Sequence, residues 1–254
     1  MKVTVLGCGT SAGVPMIGCR CSVCTSANPR NRRRRCSILI DSPATTILVD
    51  TPPEMREQCI DAQVRRIDAI LYTHAHADHV NGIDDVRALN QLLGEAVDAY
   101  GEARVLERIR QRFDYAFHPP DPGRGWWRPA LRPIAFDGPF RVGDLQILPF
   151  EQIHGSTPSW GFRIRDFAYS TDCSGMTPQM TETLAGVRIW IVDCLRDKPH
   201  VSHAHLERTL EWIREIRPER ALLTHMNHEV DYGDWLRRLP PGVEPAYDGM
   251  VLDA

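Results

Sequence analysis

The sequence predicts a layered α/β fold, and three observations carry that prediction. Short runs rich in β-branched and apolar residues recur along the chain. Segments with apolar residues at three-to-four spacing lie between some of them, and in the last third strand-like and helix-like segments alternate.

Taken in order, strands are expected at residues 2–6, 37–40, 46–49, 69–72, 146–148, 161–164 and 167–170, each bounded by Gly, Pro, Asp or Ser. Helical periodicity marks 80–93, 102–113, 178–184, 203–216 and 232–239, and buried-looking strands at 188–192 and 220–223 alternate with the later helices. Residues 118–133, rich in Pro and Gly and carrying the pair Trp126-Trp127, read as a long irregular loop of the kind that covers sites. With 254 residues, 43% apolar content and neither repeat nor linker, one domain spanning 1–254 is expected.

A formal net charge of −3 gives no general pull toward nucleic acid. The basic run Arg32 to Arg35 reads as a solvated strand edge in preference to a nucleic-acid contact. The first apolar stretch is too short for a secretory core, and no run approaches the roughly 18 apolar residues of a membrane span. A cytoplasmic location is therefore expected. Eight cysteines there should be mostly reduced, so a tight cluster of them reads first as metal ligands.

The densest chemical signal is Thr73-His74-Ala75-His76-Ala77-Asp78-His79, directly after the apolar run at 69–72. Small Ala residues between the ligands let the loop curl, so that His74 and His76 face one ion while Asp78 and His79 face another. Each ion needs further ligands from distant segments, and His154, Asp172 and His225 stand at similar strand ends. The spacing differs from the helical His-Glu-x-x-His signature, whose ligands lie one turn apart. A second group, Cys19, Cys21 and Cys24, is compact enough for three thiolates to meet one zinc, with His228 well placed as a fourth ligand; the plain alternative is three ordinary reduced cysteines. Cys8, Cys36, Cys59, Cys173 and Cys194 read as small buried residues.

Thr73–His79 followed by His154, Asp172 and His225, with Asp50 in Leu48-Val49-Asp50, resembles the five-motif pattern of metallo-β-lactamase fold hydrolases over nearly the whole chain. The resemblance implies a four-layer αββα sandwich with two divalent ions, zinc or manganese, at one edge of the sheets. It gives His74, His76 and His154 to one metal, Asp78, His79 and His225 to the other, and makes Asp172 the bridge. Asp50 would orient a ligand imidazole. The intact His-rich form favours hydrolysis over the redox chemistry of di-iron relatives.

Within that superfamily, Gly7 to Pro15 followed by Gly-Cys-x-Cys-x-x-Cys is similar to the PhnP-type phosphodiesterases of the bacterial carbon–phosphorus lyase pathway. So are the His225-x-x-His228 pair, Asp193-Cys194 and Tyr247-Asp248-Gly249-Met250. This likeness implies hydrolysis of small, including cyclic ribosyl, phosphodiesters, and one structural zinc. Two divalent ions about 3.5–4 Å apart hold a bridging hydroxide near neutral pH and stabilise phosphoryl oxygens. The catalytic pair expected is Asp78 and His203.

His203, in Ser202-His203-Ala204-His205, corresponds to a histidine suggested to be the general acid; the plain alternative is a residue in the first turn of a helix capped by Ser202. Metals and helix dipole would both disfavour an imidazolium, so a compensating carboxylate or substrate phosphate is required. Arg87 is either a phosphate contact or an exposed helix residue. Residues 82–87 depart from the pattern around that Arg, and 94–133 do not align, which leaves the substrate least determined. The rivals are a β-lactamase or thioester hydrolase, a transfer-RNA 3′-processing-like nuclease, and a non-enzymatic metal-dependent binding module. The partners expected are a small phosphodiester and, as an alternative to a monomer, a second copy in a homodimer. Membrane and nucleic-acid partners are disfavoured.

Overall fold

A computed structural model describes residues 1–119, 123 and 125–254. Its strands in chain order are β1 (Lys2–Gly7), β2 (Ser37–Asp41), β3 (Thr46–Val49), β4 (Ala69–Leu71), β5 (Val97–Glu102), β6 (Leu131–Phe136) and β7 (Phe140–Val142). They continue as β8 (Leu145–Gln152), β9 (Ser159–Ile164), β10 (Phe167–Ser170), β11 (Ile189–Asp193), β12 (Arg220–Thr224), β13 (Val243–Pro245) and β14 (Val251–Asp253). The helices are α1 (Met55–Asp61), α2 (Ala77–Val80), α3 (Val86–Leu93), α4 (Ala103–Arg112), α5 (Pro178–Leu184), α6 (Leu206–Ile216) and α7 (Tyr232–Arg238).

The strands form two seven-stranded sheets, ordered β14-β1-β2-β3-β4-β5-β6 and β13-β12-β11-β10-β9-β8-β7. In each sheet an antiparallel part passes into a parallel part: β3 to β6 run parallel in the first, β10 to β13 in the second. The two-residue period of a strand explains the layering. Val3, Val5, Ile38, Ile40, Ile47, Val49, Ala69 and Leu71 join the core between the sheets, where they meet Ile147, Phe150, Phe162 and Ile164. The intervening Leu39, Leu48 and Ile70 face the other way and pack with Met55, Leu89, Val105 and Ile109 of α1, α3 and α4. Helices α5, α6 and α7 bury Met180, Leu184, Trp212 and Trp235 on the far side of the second sheet. The result is the four-layer αββα metallo-β-lactamase sandwich.

The element boundaries differ from expectation where tertiary contacts intervene. The helix expected over 80–93 is broken, because Gly82 donates its N–H to Thr51 O at 2.9 Å and lies so close to Pro52 that a Cβ there would stand 2.1 Å from its carbonyl oxygen. The chain forms α2, one 3₁₀ turn and then α3. The helix expected from 203 begins at Leu206. His203 and Ala204 are held outside it, Ala204 N–H donating to Cys173 O at 2.7 Å, so Ser202 does not cap it. The irregular segment 118–133 ends in β6, and its residues 120–122 and 124 lie outside the described residues. The Arg32 to Arg35 run is not a solvated strand edge: Arg33 is buried and donates to Val230 O at 2.9 Å, Arg34 pairs with Asp61, and Arg35 with Glu54.

Candidate metal centre

The predicted active-site ligands gather on one edge of the sandwich, past the carboxyl ends of strands, with Asp78 and His79 in α2. His74 follows β4, His154 follows β8, Asp172 follows β10 and His225 follows β12, while Asp50 follows β3. The structure brings them into two groups whose donor atoms lie within 4.8 Å of one another: His74, His76, His154 and Asp172, and Asp78, His79, Asp172 and His225. Asp172 is common to both. Its Oδ2 lies 3.7 Å from His74 Nε2 and 3.5 Å from His154 Nε2, and its Oδ1 3.2 Å from His79 Nε2 and 3.4 Å from His225 Nε2.

The surroundings fix which ring nitrogen faces inward. His79 Nδ1 is bonded to Asp50 Oδ2 at 2.7 Å, His154 Nδ1 to Ser202 O at 2.8 Å and His74 Nδ1 to Thr73 Oγ1 at 2.9 Å. A carbonyl or carboxylate accepts only, so His79 and His154 carry their proton on Nδ1 and present a bare Nε2 to the cluster. Asp50 also accepts from Thr73 N–H and Thr73 Oγ1, both at 2.8 Å. Thr73 Oγ1 thereby spends its hydrogen on Asp50, and His74 Nδ1 becomes the donor in their contact.

Lone pairs from several imidazoles are thus aimed at two carboxylates. His79 Nε2 and His225 Nε2 are buried with no hydrogen-bond partner, a costly arrangement for polar atoms unless a cation lies between them and the carboxylates. The donor set therefore fits divalent metal. Burial acts to raise the Asp172 pKa, but positive charge at His225, His79 and His74 outweighs it and holds the carboxyl well below the usual range. Asp78 is likewise held low by His79 and His225 against the effect of burial.

A third group, Asp193, His203 and His225, adjoins the second. His203 Nδ1 lies 3.2 Å from Asp193 Oδ2, and its ring stacks on that of His225 at 4.4 Å. Burial acts to lower the His203 pKa, but the facing Asp193 carboxylate raises it to about 9. Asp193 is thus the compensating carboxylate that the sequence argument required without naming. The available signal was its position as the last residue of β11, another strand end.

Cys19, Cys21 and Cys24 form a separate cluster. Cys24 N–H donates to Cys21 Sγ at 3.4 Å and lowers that thiol's pKa, whereas burial pushes Cys24 up to about 11. His228 approaches through its main-chain carbonyl, 3.5 Å from Cys21 Sγ, and its ring is not among the grouped donors. Arg87 is exposed and stands 3.9 Å from Asp84.

The family model described as the beta-lactamase superfamily domain matches residues 45–226, the stretch from β3 to just past His225. The chain belongs to the beta-lactamase superfamily. Among solved structures, this member is similar to a diphosphatase from the PhnP family, at 34% identity and a TM-score of 0.92, covering 100% of this chain and 97% of that one. Zinc-bound PqqB from Methylobacterium extorquens shares the fold at 20% identity and a TM-score of 0.79, with 100% of both chains covered. So does the short form of human tRNase Z, at 20% identity and 0.71, with 100% of this chain and 99% of that one covered. A curated relative, an octanoyltransferase from Porphyromonas gingivalis, is 37% identical over 254 residues, which are 98% of this chain. The superfamily member spans about half of that relative, 51% of its length. Among the described residues no helix is long and apolar enough to cross a membrane.

Proposed function

We propose that this metallo-β-lactamase-fold hydrolase is a phosphodiesterase acting on small phosphodiesters, cyclic ribosyl diesters among them. The observation that carries the reading is the doubled His/Asp cluster sharing Asp172, flanked by a histidine that Asp193 holds ready to donate a proton. The 34% identity to a PhnP-family diphosphatase supports attack at phosphorus.

His74, His76, His154 and Asp172 would hold one divalent ion, and Asp78, His79, His225 and Asp172 a second. Zinc or manganese there would supply Lewis acidity toward phosphoryl oxygens and acidify water. Asp78, the more exposed of the two cluster carboxylates, is kept ionised by its histidines; it can only accept hydrogen bonds, and so orients the attacking water. Asp193 fixes the His203 ring through Nδ1, which leaves Nε2 to deliver a proton to the departing alkoxide. The same reading gives Cys19, Cys21 and Cys24 a structural zinc, with His228 completing it only if its ring turns toward the thiols. Octanoyl transfer is not assigned to this chain, because nearly half of the octanoyltransferase lies outside the match.

The test is turnover of bis-(p-nitrophenyl) phosphate by metal-loaded protein, run beside nitrocefin, a thioester and a transfer-RNA precursor. Diester turnover with little or none on the others is expected. Preferred cleavage of the lactam or thioester would move the reading to another hydrolase class. Efficient, salt-sensitive cleavage of the RNA would make it a nuclease.

A further inference from the structure

The four arginines Arg32 to Arg35 line one cavity of about 420 Å³, together with Gly13, Glu54 and Asp248. The cavity shares no residue with the metal-centre groups. It sits at the same end of the first sheet, where β1 finishes, β2 begins and the chain leaves β3 past Asp50.

Its charge is unbalanced. Four arginines and two carboxylates, Glu54 and Asp248, line it, although Arg33 sends its terminal nitrogens to Asn31, Asn227 and Val230. Arg35 pairs with Glu54 at 2.5 Å, and Arg34 turns to Asp61, which is not part of the lining. Arg32 is exposed and takes part in no ion pair among the described residues. The loop opposite is shaped to leave room: Gly13 has φ +65°, and a Cβ there would stand 3.1 Å from Arg35 Nη1.

Three buried polar atoms of the lining residues have no hydrogen-bond partner: Arg33 Nε, Arg35 Nε and Glu54 Oε2. Four more such atoms belong to His79, Asp193 and His225 in the metal-centre groups. Two unmatched donors call for an anion, and one unmatched carboxylate oxygen calls for a proton on that anion. Sulfate and a monoester dianion offer acceptors alone. Hydrogen phosphate offers several acceptors and one O–H, and guanidinium groups suit its tetrahedral oxygens.

We propose that this arginine-lined cavity is a binding site for inorganic hydrogen phosphate, with the arginines donating to its oxygens and Glu54 accepting its O–H. The site stands apart from the catalytic centre and does not depend on which ester that centre hydrolyses. Its effect is to tie three segments together: the loop at Gly13, the arginine run, and the turn from Asp50 to Glu54.

The experiment is calorimetric titration of inorganic phosphate, sulfate and ribose 5-phosphate into the metal-loaded protein at pH 8 and constant ionic strength, with Arg32→Glu and Glu54→Gln alongside. Melting temperature and metal content serve as folding controls for both variants. Phosphate held at the metals remains in both, so the arginine site is the component that Arg32→Glu weakens. That component should weaken by about tenfold or more, the scale of losing a hydrogen bond to a charged group. In the wild type it should prefer phosphate to sulfate, and Glu54→Gln should erase that preference. Unchanged phosphate binding in Arg32→Glu would refute the site. Equal binding of sulfate, or a phosphate preference that survives Glu54→Gln, would refute the role of Glu54. Tighter binding of ribose 5-phosphate than of inorganic phosphate would reassign the cavity to a phosphorylated organic ligand and overturn the hydrogen-phosphate assignment.

Discussion

Replacing Asp50 by Asn should weaken metal binding without unfolding the protein, although Asp50 is not in either group of facing donor atoms. Asp50 is fully buried at φ +63°, a left-handed conformation that Asn tolerates as well as Asp, so the backbone can stay in place. Its Oδ1 accepts from Thr73 N–H, and its Oδ2 accepts from both Thr73 Oγ1 and His79 Nδ1. An Asn side chain can satisfy Thr73 N–H with its oxygen, but its NH₂ group then faces His79 Nδ1. Two donors cannot share that contact. The imidazole must move its proton to Nε2, the nitrogen aimed at Asp172 and Asp78, and the lone pair offered to the ion is lost. Loss of such an outer partner typically costs about 10–100-fold in metal affinity, or roughly 1.4–2.8 kcal/mol. Competition titration with a chromophoric chelator measures the affinity, and nitrogen NMR of the imidazoles reports the tautomer. An Asp50→Asn protein with wild-type affinity and an Nδ1-protonated His79 would refute the reasoning.

Three further outcomes are expected. Cys21→Ser should lose one metal equivalent and lower the melting temperature more than Asp172→Ala, whose loss should fall on the other centre, because a closed zinc site contributes directly to folding; full metal content in Cys21→Ser would count against the zinc. His203→Ala should keep its metals and lose about 10²–10⁴-fold activity on an alkyl diester, with a distinctly smaller loss on a nitrophenyl diester, whose leaving group needs no proton; equal losses would mean that His203 only positions substrate. Arg33→Ala should destabilise the fold by about 1–3 kcal/mol for each buried acceptor left without its donor, since it strands the carbonyls of Asn227 and Val230; a urea midpoint unchanged from wild type would show that the buried guanidinium is dispensable.

The sequence made the strands legible where both faces are buried, because a run such as Thr46–Val49 or Phe167–Ser170 has no other stable place. It concealed α1 and the strands β5, β6, β7, β13 and β14. Val97–Glu102 contains Asp98, Gly101 and Glu102, and Leu131–Phe136 contains Arg132 and Pro133; pairing with β4 and with each other makes them strands. The ligands announced themselves by type and by strand-end placement. Their supports did not, because Thr73 Oγ1 and the Ser202 carbonyl are ordinary groups until the fold sets them against His74 and His154. The arginine run was misread for a related reason: a buried guanidinium and a solvated one look alike in sequence, and only Asn31, Asn227 and Val230 closing around Arg33 tell them apart.

The backbone also favours a centre assembled for tight coordination. Asp50, Asp172 and His225 all have positive φ, at 63°, 54° and 59°, although non-glycine residues in left-handed or other sparsely populated regions cost of order 1–3 kcal/mol each. Each lies one or two residues past a strand end, where the chain must turn sharply across the sheet edge. An ordinary extended residue there would continue along the strand direction and carry its side chain past the cluster. The strain is borne by neighbouring hydrogen bonds of high burial, such as Asp50 N–H to Leu71 O at 2.9 Å and Cys173 N–H to Asp193 Oδ2 at 2.8 Å. Asp193 therefore serves two structures at once: it holds the turn that presents Asp172, and it holds His203. That sharing couples the placement of the shared carboxylate to the placement of the proton donor, so a change at Asp193 should disturb both together, whereas a change at His203 should leave Asp172 where it is.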